Sequence, residues 1–447
     1  MRKKRGQERY KGAAMEREGV TATLDGMGIE CEQRALTMDD LPAEIVSMLL
    51  REKVDPVDRV ACRRVSTLWR QVLVPKYKAD GDNDDDGGPT YMGEVARNGW
   101  VRVMEWARAE GCAWDMSVCA EAAEGGHLEV LQWARANGCP WDSDTCIRTV
   151  DGGHLEVLKW AMDHGCPWSD DACTGAAQGG HLEVLRWLRD KGRPWDERTC
   201  AGAAWGGHLE VLKWARANGC PWDEWTCAYA ARSSHLDVLR WARQDECPWD
   251  ESTCAMAALG GHLEVLKWAR ANGCPWDEGT CASAARSGHL EVLVWARAND
   301  FPWTGRTCAN AAEGGHLEVL QWLRANGCPW DDGTCSDAAK GGHLGVLKWA
   351  RENGCPWDGW TCADAADRGH LEVLKWAREN GCPWDKMTCF GAAENGHLEA
   401  LKWARENGCP WDGEACAAAA EDHGWTEVAE WARANGCAPQ DADRRSG

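Results

Sequence analysis

The sequence specifies an all-α solenoid of about thirteen stacked helix-turn-helix units, preceded by a small separate helical module. Three observations lead there. Histidines from His127 to His397 recur at intervals of 27 residues, each inside a phrase such as GGHLEVLKWARANGCPWD. Before each first helix, one slot accepts only residues with a short side-chain oxygen. The helices between these marks are too short and too apolar to stand alone, so each has to bury its face against the next copy.

Within a unit, the Asp of PWD opens the first helix. The slot holds Asp115, Asp142, Asp196, Asp223, Asp250, Asp277, Asp331, Asp358, Asp385 and Asp412, with Ser169 and Thr304 in the other two units. All three residue types accept a hydrogen bond from the unpaired N–H groups of a first turn, which makes the slot an N-cap. Glu197, Glu224, Glu251 and Glu278 follow it, where their charge meets the positive end of the helix dipole. The helix runs through T-C-A-x-A-A and stops at the glycines. HLEVLKWARAN forms the second helix, with Leu209, Val211, Leu212, Trp214 and Ala215 apolar in one unit, a sector wide enough to be covered from both sides. Asn218-Gly219 ends it and Pro221 prevents its continuation. The Ala230–Ala231 pair lets first helices approach closely, while Trp214 and Trp222 fill the outer spaces. An early unit carries Trp100 in the histidine place, and the last inserts one residue before its second helix, as atypical ends of an array do.

The phrase TCAxAAxxGHLEVLKWARANGC resembles the ankyrin repeat, which opens T-P-L-H-x-A-A-x-x-G-H and closes V-x-x-L-L-x-x-G-A. The likeness runs through every unit, with two departures. The period is 27 residues rather than about 33, lacking the β-hairpin finger, and Cys-Ala replaces Pro-Leu-His. The resemblance implies stacked helices with the first helices lining the concave side, and no binding by long fingers.

Ahead of the array the chain divides into a basic tail (1–35), a helical module (36–76) and an acidic, glycine-containing linker (77–90). The array is expected over 91–437, with a tail at 438–447. In the module, Ile45, Leu49, Leu50, Val60, Val65, Leu68, Trp69 and Val72 follow helical spacing, and Pro56 separates two helices. About forty residues make a small core, which is expected to borrow stability from a partner. The segment is similar to the F-box, through Leu41, Pro42, Glu44, Ile45 and Leu49, then Asp58, Val60, Cys62, Val65, Trp69 and Arg70. That resemblance implies that Leu41, Pro42, Ile45, Leu49 and Leu50 face the Skp-type adaptor of a cullin–RING ubiquitin ligase. Taken without the resemblance, the same helices form an amphipathic cap on the array.

Composition narrows the function. With 50 Lys and Arg against 71 Asp and Glu, the formal charge is −21, which repels nucleic acid and anionic membrane and favours a basic or uncharged protein partner. No stretch reaches the roughly 18 consecutive apolar residues of a membrane span, and the N-terminus lacks the apolar core of a secretory signal. Of 25 cysteines, 23 occupy two fixed positions of the repeat, which fits buried thiols in a reducing cytosol or nucleus. Each unit offers two Cys and a His, as in Cys139, Cys146 and His154, but at C-x6-C-x7-H this is not zinc-site spacing. Arg193 and Phe301 also replace the first Cys without disturbing the phrase. A dozen equivalent thiols do not make one activated nucleophile, and phosphate-cradling loops are lacking; no cofactor, metal or catalysis is expected. The histidines are read as hydrogen-bonding backbone groups of their own or adjacent turns.

Three first-helix positions vary freely, spaced i, i+4 and i+7 on one face. They are Trp225, Tyr229 and Arg232 in one unit, Arg198, Gly202 and Trp205 before it, and Ser252, Met256 and Leu259 after it. Free variation marks this face as exposed. Trp205, Trp225, Tyr229, Arg232, Met256 and Leu259, with Trp360 further on, are the candidate partner-binding residues, since aromatic and Arg side chains anchor interfaces. Glu121, Glu124, Asp144 and Asp151 flank them on one side, and Asp337, Asp364, Asp367, Glu394, Glu414 and Glu421 on the other. Such a groove suits a basic or amphipathic protein segment. The chain therefore reads as a monomeric interaction protein, either the substrate-recognition subunit of a cullin–RING ligase or a plain scaffold.

Overall fold

The computed structural model describes residues 91–436 apart from Glu110. The expectations for 1–90 and 438–447, including the adaptor-facing residues Leu41, Pro42, Ile45, Leu49 and Leu50, lie outside the described residues. Within them are 26 helices in thirteen pairs, from Tyr91–Arg97 with Val101–Ala109 to Gly413–Asp422 with Thr426–Gly436. Consecutive first helices pack closely against one another along the whole array, whereas consecutive second helices lie further apart and meet through long side chains such as Arg186 over Trp214. The sequence accounts for the difference. First helices meet through small residues, so that in Glu224–Arg232 the buried side chains are Thr226, Cys227, Ala228, Ala230 and Ala231. Second helices bury only a narrow stripe, Val211, Leu212 and Ala215 in Leu209–Ala217. Burial of one such leucine contributes roughly 2–3 kcal/mol.

Most first helices begin as the cap slot dictates. Asp223 is extended (φ −138°, ψ −171°) and its carboxylate accepts from the Trp225 N–H at 3.1 Å. Asp142, Asp196, Asp250, Asp277, Asp358 and Asp385 do the same two residues on, and Asp412 three residues on. Thr304 forms a capping box with Thr307, its side chain accepting from the Thr307 N–H and its own N–H donating to the Thr307 hydroxyl at 3.3 Å, and Asp331 makes no side-chain cap bond. Ser169 makes the same bond as the Asp223-type caps, accepting from the Asp171 N–H at 3.2 Å, yet its helix starts only at Ala172.

The repeated Gly-Gly-His phrase is an interlock between units. His154 Nε2 lies 2.9 Å from the Glu124 carbonyl, the last residue of the preceding unit's first helix. His181, His289, His316 and His370 reach Asp151, Leu259, Arg286 and Lys340 in the same way at 2.8–3.1 Å. A carbonyl only accepts, so Nε2–H is the donor and the tautomer is set. Burial pushes His208, His262 and His370 below the ordinary imidazole range, which keeps these rings neutral.

Six of the eleven rings, His208 among them, are clamped between two glycines. A Cβ on Gly206 would meet His208 of its own unit at 2.5 Å, and one on Gly180 of the preceding unit would meet the other side of the same ring at 2.5 Å. Gly180 also has φ +78°. The two positions differ in tolerance. Where the first becomes Ser233, Ser287, Arg368 or Asn395, φ moves from about −75° to between −97° and −103°. Among the described residues the second keeps glycine except at Ser234, which is held at φ +66°. In the last unit Trp425 replaces His: its Nε1–H donates to the Glu394 carbonyl at 3.1 Å, and its ring lies on Gly396. The donor and the flat ring survive although the residue changes.

A second set of bonds joins the other ends of the units. The Cys220 thiol donates to the Asp196 carbonyl at 3.4 Å, and the equivalent cysteine repeats this in most units. Arg216 donates to the Cys220 carbonyl and stacks 3.9 Å above Trp222, which meets Trp241 edge-on with centroids 5.9 Å apart. At the two substituted sites, Arg193 lies over Trp168 and Phe301 against Trp276, so packing on the preceding tryptophan replaces the thiol contact.

Replacing Gly180 by Ala is expected to lower stability by about 2–3 kcal/mol, through left-handed strain plus the clash with His208. Gly206→Ala, whose site relaxes in other units, should cost less than half of that, and Ser234→Gly should gain about 1 kcal/mol. Urea unfolding of the three variants checks the order.

Candidate functional site

The three variable columns do not share one environment. Trp205 and Trp225 are exposed to 37% and 39%, and Trp360 to 59%. Tyr229, Arg232, Met256 and Leu259 are half-buried. The middle column, which holds Tyr229 and Met256, is shielded by the residue one unit away, and Glu121, Gly202 and Gly391 in it are buried. Variation there therefore reflects contact between neighbouring units as well as exposure, a correction to reading the whole face as free.

Trp205, Trp225 and Tyr229 come together. The Trp205 and Tyr229 rings meet edge to face with centroids 5.3 Å apart, and Trp225 lies 5.5 Å from Tyr229 at 36°. They wall a pocket of about 410 Å³ completed by Thr174, Gln178, Glu197, Arg198, Ala201, Gly202 and Asp223. Gly202, the middle-column residue of its unit, lines the pocket without a side chain while Trp205 and Tyr229 beside it are large. A Cβ on Gly202 would already press the Thr174 carbonyl at 3.1 Å. Arg232 covers another side of Trp205, with its guanidinium 5.4 Å from the ring, and donates to the Met256 sulfur at 3.6 Å. Leu259 contributes its carbonyl to His289 and stands outside the pocket lining. Trp360 lies five units away and is also outside it.

Gln178, Glu197, Arg198 and Gly202 were missing from the expected binding residues. Gln178, Arg198 and Gly202 belong to the variable columns, so the signal was present but masked by attention to large apolar side chains. Arg198 pairs with Asp171 at 2.7 Å and Asp196 at 2.9 Å. Asp223 spends one oxygen on its helix cap, and burial raises its carboxyl above the usual range.

The acidic flanks differ from each other. On the N-terminal side Arg97 pairs with Glu121 and Glu124, and Arg148 with Glu124 and Asp144, so much of that charge is compensated. On the C-terminal side burial, then the neighbouring Asp337 charge, raises the Asp364 carboxyl to about 6, and burial raises Asp337 as well. Among the described residues no three His, Cys, Asp or Glu side chains converge as a metal-ligand set. The 22 described cysteines are all buried. No helix among the described residues is long and apolar enough to cross a membrane.

No protein-family model matches the chain, and neither does any curated protein. Among solved structures, the human ASB11 ankyrin repeat domain is similar at 17% identity with a TM-score of 0.29, over 35% of this chain and 83% of that one. The helical solenoid stands on the thirteen helix pairs themselves.

The Asp364 carboxyl gives a pH test. Between about pH 4, where an unfolded aspartate releases its proton, and about pH 6, the folded chain holds more protons, so this group makes stability fall as pH rises. Asp364→Asn should therefore raise the melting temperature at pH 7.5, with the gain vanishing below about pH 4.

Proposed function

We propose that this chain is a protein-interaction protein that holds a partner segment along its first helices, centred on Trp205, Trp225 and Tyr229. The observation carrying this reading is the 410 Å³ pocket walled by three aromatic rings within an otherwise repetitive array. Large side chains on a stacking unit ordinarily serve stacking. Here Trp205 and Trp225 are exposed, and the joints between units are made by Gly, His, Cys and Ala instead. Exposed aromatic rings grouped around a pocket are the usual anchors of a protein interface.

The finer reading adds the module at 36–76. Its F-box-like residues make this chain the substrate-recognition subunit of a cullin–RING ligase, with the module docked on a Skp-type adaptor and the groove holding the target. The ligase's other subunits would do the chemistry and the chain would supply proximity. A reducing cytosol or nucleus suits an array with so many buried thiols.

Two experiments separate the levels. Trp225→Ala with Tyr229→Ala should abolish capture of the partner while costing about 1 kcal/mol or less in stability, read as partner retention and thermal melting of the same sample. Undiminished capture would remove the groove from the account. Adaptor retention by the full chain should be lost on Ile45→Asp with Leu49→Asp; an unaltered chain that never retains a Skp-type adaptor would leave the plain scaffold.

A further inference from the structure

We propose that the pocket is a socket for one weakly hydrated organic cation, the guanidinium of an arginine or the methylated ammonium of a lysine, carried on a basic segment of the partner. The proposal deepens the groove reading above by naming the group that enters it.

Three features favour a cation over a plain apolar side chain. First, the walls are aromatic faces and edges set at different angles, 80° between Trp205 and Tyr229 and 36° between Trp225 and Tyr229. The negative faces of tryptophan and tyrosine attract a cation placed over them, and tryptophan most strongly. Second, the remaining acidic rim is Glu197 and Asp223. The one basic group there, Arg198, is bound to Asp171 and Asp196, so its charge is already answered. Third, just outside the lining the Arg232 guanidinium sits 5.4 Å from the centre of the Trp205 ring, so this surface already pairs a guanidinium with tryptophan.

The size of the pocket and the cost of dehydration select among cations. A bare lysine ammonium is compact and strongly hydrated, so it loses much on entering a site walled by rings. Guanidinium is broad and weakly hydrated, and methyl groups make the lysine head larger and more apolar. About 410 Å³ accommodates either head with part of its stem. The chain's net charge of −21 draws a basic segment toward this surface.

The test uses the full chain and four fluorescein-labelled heptapeptides, Gly-Lys-Gly-X-Gly-Lys-Gly, with X arginine, trimethyl-lysine, citrulline or norleucine, measured by anisotropy at 0.1 M salt. The expected result is that the arginine or the trimethyl-lysine peptide binds about tenfold or more tighter than both neutral peptides. Whichever of the two cationic peptides binds tighter identifies the source of the cation. Tyr229→Leu and, separately, Trp225→Ala should each bring the cationic peptide close to the neutral ones. Glu197→Gln should weaken the arginine and trimethyl-lysine peptides more than the citrulline and norleucine peptides, whose flanking lysines are common to all four. Equal binding of neutral and cationic peptides, or no binding of the cationic ones at millimolar concentration, overturns the socket. If capture of the partner still depends on Trp225 and Tyr229 in that case, the groove reading stands and only the cation falls; if it does not, both fall.

Discussion

The histidine ring held between two glycines is the contact on which the array depends. In units such as those of His154 and His181 it passes a hydrogen bond to the carbonyl at the end of the previous unit's first helix, and it occupies space that a side chain on the second glycine would take. Because the contact reaches one unit back and no further, the array is a chain of nearest-neighbour joints, in which stability adds unit by unit. The thiol-to-carbonyl bond and the Arg–Trp stack close the same joint at its other edge. The terminal Trp425 shows what the joint requires: a flat ring and an N–H donor, whichever residue supplies them.

Such joints explain why one face can vary. Stacking is settled by Gly, His, Cys, Thr and Ala, all small or fixed in orientation, so the outer positions of the first helix carry little of the packing. The freedom has a limit at the middle column, where each residue also shields its neighbour. There an empty position followed by large ones opens a pocket, as at Gly202 beside Tyr229, and an acid one unit after another has its proton affinity raised, first by burial and then by its neighbour's charge, as at Asp364 beside Asp337. The functional surface is thus written in the differences between adjacent units rather than in any single unit.

Much of this was legible in the sequence and part was not. The period, the helix pairs, the Asp223-type caps and the Gly219-type terminators follow from spacing and local hydrogen bonding, which act within a few residues. The grouping of Trp205, Trp225 and Tyr229 followed from helical face geometry. The double role of Gly180 and Gly206 was hidden, because it needs the position of a ring 28 residues ahead or two residues on. So were the Arg97–Glu121 and Arg148–Glu124 pairs, which span 24 residues between units and left the N-terminal acidic flank largely neutralised. The delayed start at Ala172 was missed because Ser169 makes the same bond two residues on as the aspartate caps, so nothing in its chemistry marks the difference.

The most direct measurement on the interlock is a long-range ¹⁵N–¹H correlation spectrum of the histidine rings in the full chain at pH 7.5, followed on acidification and after unfolding in urea. His154, His181, His289, His316 and His370 should all be the neutral Nε2–H tautomer, and His208, His262 and His370 should take up their protons at lower pH folded than unfolded. Rings carrying the proton on Nδ1, or titrating alike in the folded and unfolded chain, would contradict the interlock and with it the separation of joint from binding face.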